Sequence, residues 1–296
     1  MLKKYKFVET EYPYHPVSEA IKSTRGRNPD GTPKIHNTTN DEMVDSLEKA
    51  CDGLDIDSKY FNAFRELDRA VFIDWNNVPQ KHKDNVGNSP YNFLACVFGE
   101  GQTVPAANML LTSLVLMDFK PNQKILEIGA ESGYYASLAA KVAGENSQII
   151  STEIIPEFVE RARRAVKAHN LSDKVTIVPA FANILGSPEN GPYDRIVTTV
   201  ACSKERHLSD LLGQLKVGGV LSNSIIGLYD ENKQEIEPWR PGKNISQENI
   251  LISDPSKDFA YVVSYKFTKL NKNTIQYSVK NNINLERRTG AGPYFK

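Results

Sequence analysis

The stretch KILEIGAESGYYASLAA, residues Lys124 to Ala140, limits what this chain can fold into more than any other. Ile125, Leu126 and Ile128 are apolar and strand-favouring, the chain turns at Gly129, and after Gly133 the apolar positions take helical spacing. A strand, a tight glycine turn and a helix are how many proteins cradle a nucleotide or a nucleotide-like cofactor. The middle of the turn, where a third glycine is expected, holds Glu131. Taken alone, G-x-x-x-G fits equally a structural turn that packs a helix closely on a strand.

The surrounding pattern sets the fold class. KILEI predicts a first strand and Tyr134 to Val142 a first helix, followed by a strand at QIIST and a helix at IPEFVERARRAVKAHN. In that helix Pro156 suits the first turn, and Glu160 and Arg164 are spaced to pair on its surface. KVTIVPA, DRIVTTVA and GGVLSNSII predict three more strands, the last after the helix SKERHLSDLLGQLK. Strands alternating with helices imply an α/β fold with a doubly wound, mostly parallel sheet. Ligands of such sheets bind outside the carboxyl ends of the strands, where the glycine turn lies. Upstream, residues 1 to about 60 are polar and turn-rich, as in STRGRNPDGTPKIHNTTN, which reads as a loop or ordered arm ahead of a helix from Asp41 to about Asp52. Downstream, FAYVVSYKFTKL and TIQYSVK predict a hairpin around an NKN turn, and the tail ERRTGAGPYFK reads as irregular.

Charge and cysteine content narrow the function classes. Lys+Arg and Asp+Glu are 36 each, so no net charge or basic stripe draws the chain to nucleic acid or an anionic membrane. The start MLKKYKFVETEYPY lacks the apolar core of a secretory signal, and MLLTSLVLM is too short and interrupted to span a bilayer. Cys51, Cys96 and Cys202 lie far apart, with neither disulfide nor zinc-ligand spacing, as expected of a cytoplasmic protein.

A second acidic position, taken with the glycine turn, favours an adenosine cofactor. Glu153 ends the second strand of the alternation, at the distance from the glycine turn where a carboxylate accepts from both ribose hydroxyls of an adenosine group. A surface helix-capping carboxylate ahead of Pro156 is the alternative. A pyrophosphate needs bare amides at the helix N-terminus and would be repelled by Glu131, whereas S-adenosylmethionine carries an ammonium group at its amino-acid end. Glu127, inside the first strand, points the same way.

The strings QKILEIGAESGYYASLAAKVAG, ISTEIIPEFVERARRAV, PYDRIVTTVA and LLGQLKVGGVL resemble the successive motifs of protein-L-isoaspartate O-methyltransferases. Upstream, GEGQTVPAANM resembles that family's acceptor-lining segment, so the similarity runs from about Arg69 to Ile226. The resemblance implies a seven-stranded class I methyltransferase sheet and methyl transfer from S-adenosyl-L-methionine to an aspartyl or isoaspartyl carboxylate of a peptide or protein. It implies a methyltransferase domain at 66–227, a polar N-terminal extension at 1–65 and a β-rich accessory region at 228–296. By position it assigns Gly129, Ser132 and Gly133 to the methionine end, with Glu127 nearby, and Glu153 to the ribose. Thr199 faces the same cleft, and Gln102 and Thr103 border the acceptor as the catalytic pair. No general base is required, because the acceptor carboxylate is already ionised at neutral pH and transfer is mainly a matter of alignment.

Three positions depart from the family pattern: Glu131 for the middle glycine, Pro105 for an acceptor-site serine, and Ala180 for the carboxylate that would accept from the adenine amino group. They point to a changed, dedicated substrate, as in peptide-tailoring relatives, more than to general repair. The alternative is a methyltransferase fold that has lost turnover and binds a peptide or partner. A nucleotide-dependent oxidoreductase is disfavoured by Glu131. Among other residues, His169 and His207 read as exposed, while His15, His36 and His82 fall in loops without metal-ligand spacing. Cys202 reads as a buried small hydrophobe rather than a reactive thiol. Of Tyr134 and Tyr135, one is expected in the core and the other beside the cofactor.

Overall fold

A computed structural model of the chain describes residues 4–11, 16–24, 27–99, 102–181, 184–201, 205–227 and 261–280. Strand β1 (Lys6–Glu9) is followed by helices α1 (Pro16–Ala20), α2 (Asn40–Ala50), α3 (Lys59–Glu66), α4 (Arg69–Ile73) and α5 (Gln80–Asn85). Strands β2 (Cys96–Gly99) and β3 (Gln102–Val104) precede helix α6 (Ala107–Met117). The alternation then runs β4 (Lys124–Ile128), α7 (Tyr134–Ala143), β5 (Gln148–Glu153), α8 (Pro156–Ala168) and β6 (Val175–Pro179). It continues with β7 (Tyr193–Ala201), α9 (Glu205–Gln214) and β8 (Leu215–Gly227), and the hairpin β9 (Tyr261–Lys269) and β10 (Thr274–Lys280) closes the described chain.

Two compact units share these elements: residues 1–13, 124–129 and 180–296 form one, residues 14–123 and 130–179 the other. In the first, six strands follow the order β1, β10, β9, β8, β7, β4. The pairs β4–β7, β7–β8 and β1–β10 are parallel, whereas β9 runs antiparallel to both β8 and β10. The expected hairpin is present, and it joins the N-terminal residues of β1. Among the described residues β1 is the edge strand of this order, paired with β10 alone. Leu208, Leu211 and Leu212 of α9 are buried, and the ammonium of Lys269 donates to the carbonyls of Leu212 and Leu215 at its end. Burial there lowers the Lys269 pKa from its ordinary value.

In the second unit β5 and β6 pair in parallel, with α7 and α8 against them. Helix α8 forms because Pro156 fits its first turn, Glu157 and Lys167 complement its dipole, and Phe158, Val159, Ala162 and Val166 make one buried stripe. Each large side chain of that stripe contributes about 1.5–3 kcal/mol by leaving water. The surface ion pair is Glu160–Arg163 at 2.8 Å, not Glu160–Arg164 as the spacing led us to expect. Arg163 is held on that side because its guanidinium also donates to the Ile177 carbonyl of β6 at 3.0 Å.

The polar N-terminal region contributes to the core of this unit. Thr39 caps α2 by accepting from the Glu42 amide, and α3 buries Tyr60, Phe61, Ala63 and Phe64. The Tyr134 ring lies between Phe64 and Phe72, at centroid distances of 6.1 and 4.9 Å. MLLTSLVLM falls in the buried helix α6, and among the described residues no helix is long and apolar enough to cross a membrane.

Candidate active site

The glycine turn is closed by local bonds that leave little room for an anion. The Gly133 amide donates to the Ala130 carbonyl at 2.7 Å, and the Ala130 amide to the Thr152 carbonyl of β5 at 2.9 Å. The Tyr134 amide meets Ser132 Oγ at 3.3 Å, and the Glu131 amide donates to Glu153 Oε2 at 2.8 Å. The amides of residues 130, 131, 133 and 134 are therefore engaged within the protein. A pyrophosphate would need such amides bare, so the loop's donor set argues against a dinucleotide.

Backbone conformation explains the glycines and singles out Glu131. Gly129 and Gly133 have φ of +96° and +79°, the left-handed region that favours glycine. A Cβ on Gly133 would also lie 3.2–3.3 Å from Ala162 of α8, so close packing is part of why this residue is glycine. Glu131 has φ +48°, left-handed as well, and holds a conformation that a side-chain-bearing residue adopts at a cost of about 1–2 kcal/mol.

Glu153 is buried, and its carboxylate is the hub of the turn. Besides the Glu131 amide at Oε2, Oε1 accepts from the amides of Ile154 and Ile155 at 2.8 and 2.9 Å. Three of the roughly four lone-pair directions of a carboxylate are thus taken by backbone donors, and one at Oε2 remains. Glu153 does accept from amides just ahead of α8, but it is buried and so is not the surface cap that the alternative reading expected. Glu127 is buried within β4 at 1% exposure, and Ser132 at 2%. Thr199, near the end of β7, places its hydroxyl 2.9 Å from the Ile128 carbonyl and 2.7 Å from that of Gly129, fastening the last residues of β4 to β7.

Gln102 and Thr103 lie on the short antiparallel ribbon β2–β3, where Thr103 pairs with Val97. This ribbon is docked on α8, the helix that begins just after Glu153. Arg161 donates to the Phe98 carbonyl at 2.8 Å, its guanidinium lies 3.8 Å from the Phe98 ring centroid, and the rings of Phe98 and Phe158 are 4.7 Å apart. The structure therefore joins Glu131 with Glu153, and Thr199 with Gly129, by hydrogen bonds, and links the ribbon to α8.

Other expectations are revised. Tyr134 and Tyr135 are both core residues: Tyr134 donates to the Leu67 carbonyl and Tyr135 shares a hydrogen bond with Ser113, because α7 buries every face but one. Burial raises the Tyr134 pKa well above the ordinary tyrosine value. His169 is half-buried rather than exposed, stacked on Phe72 at 4.6 Å with Nδ1 at the Ala165 carbonyl. His207 is half-buried, and His15 and Cys202 lie outside the described residues. No cluster of metal-ligating side chains occurs among the described residues. Sequence reading gave no role to Arg69 and Arg161, since neither stands in a pattern that marks its partner.

The alternating strands and helices, with a glycine turn after β4 and an acidic residue closing β5, are those of a class I methyltransferase. The sequence profile named "Protein-L-isoaspartate(D-aspartate) O-methyltransferase (PCMT)" matches residues 38–262. A protein-L-isoaspartate O-methyltransferase of Archaeoglobus fulgidus is 31% identical over 172 residues, 58% of this chain and 74% of the relative. One of Methanococcus aeolicus is 36% identical over 152 residues, 51% and 67% of the respective chains. In fold, the chain is similar to a Plasmodium falciparum structure described as a protein-L-isoaspartate O-methyltransferase in complex with S-adenosyl-L-homocysteine. There the TM-score is 0.59 at 18% identity, over 85% of this chain and 98% of that one. The chain belongs to the protein-L-isoaspartate(D-aspartate) O-methyltransferase family. It is an S-adenosylmethionine-dependent carboxyl O-methyltransferase of proteins or peptides.

Proposed function

We propose that this methyltransferase serves one dedicated acceptor, a particular peptide or protein in the cytoplasm, rather than repairing isoaspartyl residues at large. The observation that carries the reading is Pro105, directly after β3, where the family pattern has a serine. Proline removes a hydroxyl and an amide donor and fixes φ, so this edge offers an incoming carboxylate fewer contacts. Binding energy must then come from elsewhere on the acceptor. We assign methyl transfer and the hold on the acceptor carboxylate to residues 66–227, and further contacts with the acceptor to the regions before and after.

S-adenosylmethionine, when bound, supplies the methyl group. The residues present fit it. Gly129, Ser132 and Gly133 shape the turn beside its methionine end, and the buried Glu127 carboxylate matches its ammonium in charge. The remaining lone pair of Glu153 is available to a ribose hydroxyl. Thr199 keeps the ends of β4 and β7 together. Gln102 and Thr103 orient the acceptor carboxylate, which is ionised at neutral pH and attacks without a general base. Alignment is what these residues contribute.

Two measurements test this reading. Thr103→Val is expected to lower kcat on the best acceptor by roughly tenfold or more while S-adenosylhomocysteine affinity stays nearly unchanged. Methyl transfer from labelled cofactor to a panel of isoaspartyl peptides should be poor on most of them, and efficient, sequence-tolerant methylation would restore general repair. Glu131→Gly relieves the left-handed strain and should raise stability by up to about 1 kcal/mol in thermal unfolding. If the Glu131 carboxylate contacts the cofactor, the same variant binds S-adenosylhomocysteine more weakly. Binding that arises only in the variant would mean an abandoned site and a binding module.

A further inference from the structure

Arg69 is fully buried, and it forms no ion pair with a carboxylate among the described residues. Nη1 donates to the Pro90 carbonyl and lies 3.6 Å from Cys96 Sγ. Nη2 reaches the carbonyls of Pro105 at 2.9 Å, Leu94 at 3.1 Å and Val104 at 3.5 Å, while Nε has no hydrogen-bond partner. All but Pro90 have one thing in common. Leu94 precedes β2 and Cys96 opens it, Val104 ends β3 and Pro105 follows it, so the guanidinium holds both legs of the ribbon at its base.

The ribbon needs such a hold. Among the described residues its strands, of four and three residues, pair only with each other, and they carry a register irregularity between Val97 and Gly99. A two-stranded piece of this size is marginal by itself. Arg161 fixes one part of it to α8, and Arg69 fixes the base. The neighbouring residues reinforce the grip: Asp68 caps α4 and accepts from the Tyr91 hydroxyl at 3.0 Å. Burial, with Asp68 adding to it, pushes the Tyr91 pKa up to about 12, so this hydroxyl stays a donor.

Phe72 and Ile73 already bury α4, so Arg69 is not required to dock that helix. Removing the guanidinium takes this donor from the carbonyls of Pro90, Leu94, Val104 and Pro105, so a loss of stability alone does not mark its role. What only the guanidinium supplies is a rigid planar fork that fixes several carbonyls in one geometry. We propose that Arg69 is a positioning residue for methyl transfer: through the backbone of Leu94, Val104 and Pro105 it sets where Gln102 and Thr103 stand toward the acceptor carboxylate. This inference rests on the assignment of Gln102 and Thr103 to the acceptor.

The test compares Arg69→Met and Arg69→Lys with Lys269→Met, which removes another buried cation bonded to carbonyls, in the unit that lacks the ribbon. Arg69→Met should lower kcat/KM for the best isoaspartyl peptide by about 10²-fold, the scale of a displacement near 1 Å. Arg69→Lys, which keeps the charge and loses the fork, should lower it by about tenfold. S-adenosylhomocysteine affinity, read by calorimetry, should change by less than about threefold, and amides of β2 and β3 should exchange faster with solvent. Lys269→Met should lower Tm yet keep kcat/KM and ribbon protection. Wild-type kcat/KM in Arg69→Lys overturns the proposal. So does turnover that falls only in step with cofactor affinity, or an equal kcat/KM loss in Lys269→Met. If Arg69→Met does not fold, Arg69→Lys decides. If the wild-type enzyme methylates no peptide of the panel, as a single dedicated acceptor allows, hydrogen exchange in the ribbon judges Arg69 separately, and unchanged protection in Arg69→Lys overturns its role.

Discussion

Replacing Glu153 by alanine is expected to lower fold stability by about 2–4 kcal/mol and S-adenosylhomocysteine affinity by at least tenfold. The stability loss follows from three backbone amides, those of Glu131, Ile154 and Ile155, that lose a charged acceptor in a largely buried place. The affinity loss has two sources: the lone pair left at Oε2, and the glycine turn itself, whose path depends on the bond from the Glu131 amide. Glu153→Gln separates them. A carboxamide oxygen can still accept from Ile154 and Ile155, but its amino group then faces the Glu131 amide, donor against donor. That variant should keep more stability than alanine and still lose affinity. Calorimetric titration alongside thermal unfolding checks both, and an alanine variant that binds as tightly as wild type would remove Glu153 from the cofactor site.

Gly133→Ala should destabilise the protein by roughly 2–4 kcal/mol, a fall of about 5–15 °C in Tm. The new Cβ meets two independent penalties. At φ +79° it crowds its own backbone, and it lies 3.2–3.3 Å from the Cα, Cβ and carbonyl oxygen of Ala162. Two of those three atoms are main chain, so relief requires α8 to retreat from α7. Because the β2–β3 ribbon is docked on α8 through Arg161 and Phe158, the retreat should also weaken acceptor binding. Thermal unfolding and acceptor KM, measured on the same variant, test the coupling. A destabilised variant with unchanged KM would show that the ribbon does not follow α8.

The sequence by itself determined the elements whose signal is local. The strand at KILEI, the helices at Tyr134 and Pro156 and the hairpin around NKN were legible because apolar spacing, glycine, proline and dipole charges act within a few residues of one another. The family, and with it the chemistry, was legible because a string of such local motifs occurs in order. Tertiary structure alone decided which of two equivalent local choices was taken. Glu160 pairs with Arg163 and not Arg164 because the Ile177 carbonyl of β6 holds Arg163. Both tyrosines of α7 are buried, since α3, α4 and α6 of the same unit supply Phe64, Phe72 and Ser113 as their neighbours. Glu153 proved to be a hub for backbone amides, and Arg69 gathers carbonyls from segments more than twenty residues downstream. Such partners carry no periodicity: a backbone carbonyl looks the same in every sequence, and only the folded path of the chain brings it within reach of a buried charge.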